Sequence, residues 1–275
     1  MIWTLIPSTY FPRHEDNRMK DEGNVTSARA GFLAQRPNNL RNLLEQRYEW
    51  MRQWIPADQV AIEIGSGHGL IGEFIKDRQI LLTDVNEAPF IDKKVDALNL
   101  PFEPGTVDVF ICSHMIHHLA HPIKFLNSLH RCLKPGGKVL ISEINTSVMM
   151  RVLLRLLRHE GWSYDVDVFN ELTACNQPDD PWSANCAIPQ LLFRNQLKFH
   201  QNVDGFEIVL NELCECLAFP LSGGVISKSR TVQLPQHALD LVNKVDRMLI
   251  RAFPGFFALG RRVVLKKKDD QSFRL

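Results

Sequence analysis

The chain has 275 residues, 45% of them hydrophobic and 23% charged, with 32 lysines and arginines against 31 aspartates and glutamates. That profile belongs to a globular protein with a core of its own; it excludes a disordered chain, and the balanced charge leaves no general field to draw in nucleic acid. Six cysteines without a C-x-x-C pair, no run of about eighteen apolar residues and no basic leader before a small-residue cleavage site point away from a disulfide scaffold, a membrane span or export, and toward a reducing cytoplasm.

Residues 36–55, RPNNLRNLLEQRYEWMRQWI, carry Leu40, Leu43, Leu44, Tyr48, Met51 and Ile55 at helical spacing, which predicts an amphipathic helix. The apolar run QVAIEIG then enters EIGSGHGLI, where glycines alternate at 65, 67 and 69 before a segment read as a helix. A strand, a glycine turn and a helix start aim backbone N–H groups at whatever sits in the bend. Gly67, Gly69 and Gly72 also satisfy G-x-G-x-x-G, the dinucleotide pattern, so the loop alone asks for a ligand without choosing it. QILLTD, VDVFICS and GKVLISEI repeat the short Val- and Ile-rich run with helix-like segments between them, and the class is therefore α/β: a doubly wound, Rossmann-like, mostly parallel sheet with helices on both faces. Asp84 closes the second run nineteen positions after Gly65, the interval at which a strand-end acid accepts hydrogen bonds from ribose hydroxyls.

A helix is expected from Pro122 to Leu133, with Ile123, Leu126, Leu129 and Leu133 buried and KPGG stopping it. In VMMRVLLRLLRH the arginines 151, 155 and 158 form a stripe on an apolar helix, which either lies against a membrane surface or is packed with its arginines reaching for water. TACNQPDDPWSANCAIP reads as a functional loop. A helix near Pro189 to Leu197, a strand in FEIVLNELCECLAF and a last strand from Arg261 to Lys267 complete the chain. The organisation expected is an N-terminal cap segment over 1–57, a cofactor-binding core over 58–146, a lid-like insertion after the fifth strand over 147–204, and a C-terminal completion of the sheet with a helical insertion over 205–275.

The stretch from Gln59 to Glu143 carries the glycine bend, Asp84, DALNLPF from Asp96 to Phe102, and LKPGG, with a weaker echo in Gly205 and Phe206. In this order the motifs resemble a class I S-adenosylmethionine-dependent methyltransferase, of the group with D-A-x-x-L-P-F and L-K-P-G-G signatures. The resemblance implies a seven-stranded sheet and S-adenosylmethionine as cofactor, with S-adenosylhomocysteine as product. It also implies that Gly65, Ser66 and Gly67 pack on the methionine part and Glu63 anchors the loop or the cofactor's amino group. Asp84 would hold the ribose and Val85 the adenine face, Asp96 and Ala97 the adenine edge, and Ser113 and His114 the methionine side. A nicotinamide oxidoreductase needs neither LPF nor LKPGG; a binding subunit without catalysis stays open, and nucleic-acid methylation lacks an N/D-P-P-Y/F motif.

His114, His117, His118 and His121 share a helix face if their segment is helical. No Asp or Cys stands near them in a recognisable ligand spacing, so no metal site is expected. Transfer to a hydroxyl needs a proton acceptor, and His117, then His118, are the candidates. The acceptor is expected under the irregular segment 163–187, against Asp179, Asp180, Trp182 and Asn185, whose mixture suits sugars and phenols equally. The resemblance extends to methyltransferases of envelope-sugar and lipid pathways, which implies a small-molecule, sugar or lipid-linked acceptor methylated at oxygen, with peripheral membrane contact.

Overall fold

The computed structural model describes residues 7–13, 24–180, 183–226 and 229–269. A two-residue strand, β1 (Thr9–Tyr10), precedes the helices α1 (Val25–Gln35) and α2 (Asn38–Tyr48). The helix expected over 36–55 is α2 continued by a tighter 3₁₀ turn, Glu49–Trp54. Pro56 explains that ending, because it drives the residue before it out of the helical region, and Ile55 is extended at φ −102°. α1 was not anticipated, since only Ala28 and Phe32 of its eleven residues are buried and its pattern is correspondingly faint.

The sheet follows with β2 (Val60–Ile64), β3 (Gln79–Asp84), β4 (Lys93–Lys94) and β5 (Val107–Ser113). The bend after β2 leads into a single 3₁₀ turn, Ile71–Glu73, in place of the expected helix. Of the nine residues between Gly69 and Gln79, Gly72 among them, only these three are helical, so the bend does not run directly into an α-helix N-terminus. Next come α3 (Pro122–Cys132), β6 (Leu133–Ile144), α4 (Val148–Leu157), β7 (Trp162–Ser163), α5 (Ile188–Phe193) and α6 (Gln196–Asn202). The chain closes with β8 (Phe206–Cys214), α7 (Ala218–Ser222), α8 (Gln236–Ala252), α9 (Pro254–Phe257) and β9 (Gly260–Lys267). The helix expected over 189–197 is thus broken into α5 and α6, where the Asn195 side chain caps the second by accepting from the Lys198 N–H. LKPGG forms an irregularity rather than a free turn: Leu133 to Lys138 on β6 face only Val107 to Val109 on β5.

The seven-stranded sheet has the order β4-β3-β2-β5-β6-β9-β8, parallel except for β9, which runs antiparallel between β6 and β8. Side-chain alternation divides its core in two. Phe110, Cys112, Val139 and Ile141 meet Phe125 and Leu129 of α3 on one face, whereas Val109, Ile111 and Leu140 meet Leu40, Leu44 and Tyr48 of α2 on the other. This is the doubly wound arrangement with both faces covered. The strand order reverses between β2 and β5, and in such sheets ligands bind at the carboxyl ends beside that reversal.

Candidate active site

Two cavities open at that reversal. The larger, of about 520 Å³, is lined by Gly65, Gly67, Asp84, Val85, Asp96 and Ala97, with Asn24 to Thr26 at the start of α1 and Leu98, His114, Met115 and His118 among its other walls. The smaller, of about 260 Å³, is bounded by Gly65, Ser66, Gly67, Ser113, His114, His117 and His118 at one end and by apolar side chains of α4 and α7 at the other. Gly65, Gly67, His114 and His118 belong to both, so the cavities meet there.

The bend is built by mutual support. Gly65 and Gly67 stand at φ +68° and +51°, which glycine alone reaches without strain. Their reasons differ. A Cβ on Gly65 would lie 2.9 Å from that of Met115, so this glycine is demanded by the protein's own packing; a Cβ on Gly67 would meet nothing within 4 Å, so here the bare backbone borders open space. Asp84 ties the loop to β3, its Oδ2 accepting the Gly67 N–H at 2.9 Å and its Oδ1 the Asn86 N–H at 2.8 Å. Each oxygen keeps a second lone pair for a diol. Asp96 accepts the Leu98 N–H at 2.9 Å and is otherwise exposed, and Val85 presents a side chain 45% exposed on the same rim. Arg29 of α1 donates to the carbonyls of His68, at 3.1 Å, and Gly69, pinning the helix to the loop.

Glu63 and Ser66 sit behind this surface. The Ser66 hydroxyl donates to the Glu63 carbonyl at 3.3 Å and accepts the Thr83 N–H at 3.1 Å, which makes it a brace. Glu63 is 1% exposed, lines neither cavity, and its Oε2 is unpartnered. Burial pushes its carboxyl up to about 8, against the Ser66 hydroxyl and with help from the Asp84 charge. Ser113 Oγ and His114 Nε2 are also buried without partners where the cavities meet, and His114 is held at φ +52°. Unpaired polar atoms beside such a space fit a ligand with its own donors and acceptors, and the lining, with two carboxylates in the larger cavity and small polar groups in the smaller, fits S-adenosylmethionine.

The histidines do not share a helix. Residues Ile116–His118 form a 3₁₀ turn, which sends His117 and His118 inward together, their ring centroids 4.3 Å apart. His117 is clamped: its Nδ1 is 2.7 Å from Glu143 Oε2, and its Nε2 is 3.8 Å from Glu160 Oε2. Glu143 also accepts the Ile116 N–H at 2.6 Å and the Ile144 N–H at 3.0 Å. Burial opposes a charge on His117, yet the two carboxylates outweigh it and hold its pKa at about 10, while the same pairing takes Glu143 down to about 2 and Glu160 below the usual carboxylate range despite burial. His118 differs. Burial and the neighbouring His117 lower its pKa, its Nδ1 lies 3.1 Å from the Ser183 carbonyl, and its Nε2 lies 3.6 Å from Glu160 Oε1.

The residues expected on the acceptor separate. Asp180 borders the larger cavity, Asp179 is exposed and lines neither, and Trp182 lies outside the described residues. Asn185 is buried and consumed by its own loop, its Oδ1 accepting from the Ser163 and Ala187 N–H groups and its Nδ2 donating to the Ser163 carbonyl. The smaller cavity is walled instead by Met150, Leu153, Leu154 and Leu157 of α4, with Phe219 of α7, Arg47 and Glu160. That face was present in the sequence as an i, i+3, i+4, i+7 stripe opposite the arginines. The arginines themselves are engaged at home, Arg151 over the ring of Tyr164 at 5.9 Å and Arg155 over Tyr10 at 5.8 Å. No ligand spacing was read around the histidines, and folding brings the distant Glu160 and Cys186 beside His117. Among the described residues no helix is long and apolar enough to cross a membrane, and the six cysteines are free.

Comparison with known proteins agrees with this geometry. The family model of a methyltransferase domain matches residues 32–176, that is 145 of the 275. A ubiquinone biosynthesis O-methyltransferase from Pseudomonas paraeruginosa is 30% identical over 106 residues, 32% of this chain and 46% of that protein. One from Dechloromonas aromatica is 29% identical over 140 residues, 42% and 60% of the two chains. The chain thus spans about half the length of the curated relatives it matches. The crystal structure of a SAM-dependent methyltransferase from Archaeoglobus fulgidus superposes with a TM-score of 0.51 at 19% identity, covering 82% of this chain and 94% of that one, which is a likeness of fold. With that match across the glycine bend, the strand-end acid and the histidine turn, the chain belongs to the methyltransferase-domain family.

Proposed function

We propose that the protein transfers the methyl group of S-adenosylmethionine to an oxygen of a small acceptor with an apolar body and a hydroxyl. The observation that carries this reading is the junction of the two cavities at Gly65, Gly67, His114 and His118. The cofactor supplies a methyl on a positively charged sulfur. Asp84, Asp96 and Val85 would hold its nucleoside in the larger cavity and the bend would hold its amino-acid end at the junction with the smaller one. Holding the two reactants in line is the main work, since displacement at a methyl needs alignment more than activation.

The size and lining of the smaller cavity support the acceptor class. About 260 Å³ with apolar walls exceeds the about 150 Å³ in which a protein cavity holds benzene, so a substituted ring fits. A hydroxyl on that ring lies at the polar end, among the histidines. We assign His118 to receive its proton: the ring borders both cavities, and the Ser183 carbonyl at its Nδ1 leaves Nε2 for the acceptor. His117, with a carboxylate at each nitrogen, steadies that ring from behind. As the carbon–oxygen bond forms, the carbon–sulfur bond breaks with its electron pair going to sulfur, and S-adenosylhomocysteine leaves. The names of the relatives, O-methyltransferases, favour oxygen over nitrogen or carbon. Residues 147–204 would serve as the wall over the acceptor, and the family fold with its apolar cavity favours a ring over a sugar.

The test is a transfer assay with labelled S-adenosylmethionine against panels of phenols, catechols and sugars, run beside calorimetry with S-adenosylhomocysteine and with NAD. Label in a phenolic product, heat with S-adenosylhomocysteine and silence with NAD are expected. His118→Ala should lower kcat by about 10²-fold or more with cofactor affinity held within a few-fold. Cofactor binding without turnover on any panel would replace this reading with a binding subunit, and heat with NAD alone would overturn it.

A further inference from the structure

We propose that His117 Nε2, Glu160 and Cys186 Sγ hold a divalent cation of the zinc class at the inner end of the smaller cavity. The three donors come from the 3₁₀ turn after β5, the residue before Gly161 and the loop before α5, and their ligand atoms lie within 4.8 Å of one another. Glu160 Oε2 is 3.2 Å from Cys186 Sγ and 3.8 Å from His117 Nε2. Metal bonds of about 2.0 Å to nitrogen or oxygen and about 2.3 Å to sulfur set neighbouring donors about 3.3–3.7 Å apart around a tetrahedral ion. To close around an ion the Glu160–Cys186 side widens by about 0.3 Å and the His117–Glu160 side shortens by about 0.5 Å, and the third side is no longer than 4.8 Å at the start.

Three further observations favour a built site over a chance meeting. First, the segments are stitched at the donors themselves: the Asn185 N–H donates to the His117 carbonyl and the Cys186 N–H to the Gly161 carbonyl, both at 2.9 Å. Second, the Glu143 carboxylate 2.7 Å from His117 Nδ1 is placed as an outer partner that fixes the ring's tautomer and leaves Nε2 for a metal. Third, the Glu160 carboxylate, 9% exposed, is already buried beside the imidazole and the thiol, so the anionic ligand is in place without a side chain being drawn in from solvent. One nitrogen, one oxygen and one sulfur donor suit zinc or cobalt rather than magnesium or calcium. His117 and Glu160 border the cavity while Cys186 lies behind it, so the fourth position opens toward the acceptor. A hydroxyl or phenolate oxygen is the ligand that position would take.

The site is read without any methyl transfer, so its failure and the failure of the proposed function are distinguishable. Full-length protein is stripped with chelator and titrated with Zn²⁺ by calorimetry, then with Co²⁺ by absorption spectroscopy. One equivalent of Zn²⁺ and a near-ultraviolet thiolate-to-cobalt band are expected. Cys186→Ser should remove that band with the other five cysteines intact, and Glu143→Gln should weaken Zn²⁺ affinity about 10–100-fold. Wild-type protein that binds no stoichiometric Zn²⁺, or a cobalt band unchanged in Cys186→Ser, overturns the proposal, and the first reading needs no variant.

Discussion

A single carboxyl shows how the site trades stability for a surface. Glu63 occupies the end of β2 with its pKa at about 8, raised from 4.5 chiefly by burial. Between those values the unfolded chain gives up the proton while the folded protein keeps it, so stability falls as pH rises through that window and levels off above it. At about 1.4 kcal/mol per pKa unit the loss is of order 5 kcal/mol. Glu63→Gln, neutral at every pH, should match wild type near pH 5 and exceed it by a few kcal/mol at pH 8.5 in urea denaturation. A difference that does not change between those pH values would refute the buried acid. The residues read from local pattern, Gly65, Gly67 and Asp84, are where a strand-end motif places them, because a bend and its neighbouring strand end are adjacent through the sheet itself. Glu160 and Cys186 were invisible for the opposite reason: their partner His117 lies 43 and 69 positions away in sequence, and loop closure alone joins them.

At the scale of elements, α4 shapes one side of the smaller cavity. Its Ser147 side chain caps the start by accepting the Met150 N–H, and Arg158 ends it at φ 54°. Held at both ends, the helix presents Met150, Leu153, Leu154 and Leu157 as one wall. Leu153 is only half-buried, so a larger side chain there extends into the cavity without invading the core. Leu153→Trp should lower kcat/KM for a ring acceptor at least 10-fold while calorimetry with S-adenosylhomocysteine stays within about 2-fold, since a cavity filled on one side costs the ligand on that side. Equal losses in both measurements would mean the cavities are not separate sites. The parallel strands and α3 were legible because their periodicity is strong. The helix expected after the glycine bend is only the 3₁₀ turn Ile71–Glu73, because nine residues with Gly72 among them gain little from a nucleus that costs several fixed dihedrals.

Across the whole molecule the N-terminal helices and the C-terminal third hold each other in place around the cavities. Arg47 of α2 meets Glu215, just past β8, with Nε–Oε1 at 2.9 Å and Nη2–Oε2 at 2.8 Å, both side chains buried. Asn39 donates to the Leu221 and Val232 carbonyls at 2.8 and 3.0 Å and accepts the Leu234 N–H at 2.9 Å. Arg47→Met leaves a buried carboxylate without its partner and should cost about 3–5 kcal/mol in chemical denaturation, whereas Arg47→Met with Glu215→Leu should cost less than the single change. Strict additivity of the two would show that the pair is not coupled.

The antiparallel strand β9 has a consequence for synthesis. It slots between β6 and β8, yet it is made after both. A nascent chain emerging from the ribosome therefore carries two bare strand edges, each a template for pairing with a neighbouring copy. Chaperone dependence should be concentrated in that interval, and premature termination before Gly260 should yield sticky, protease-sensitive chains rather than a trimmed but folded protein.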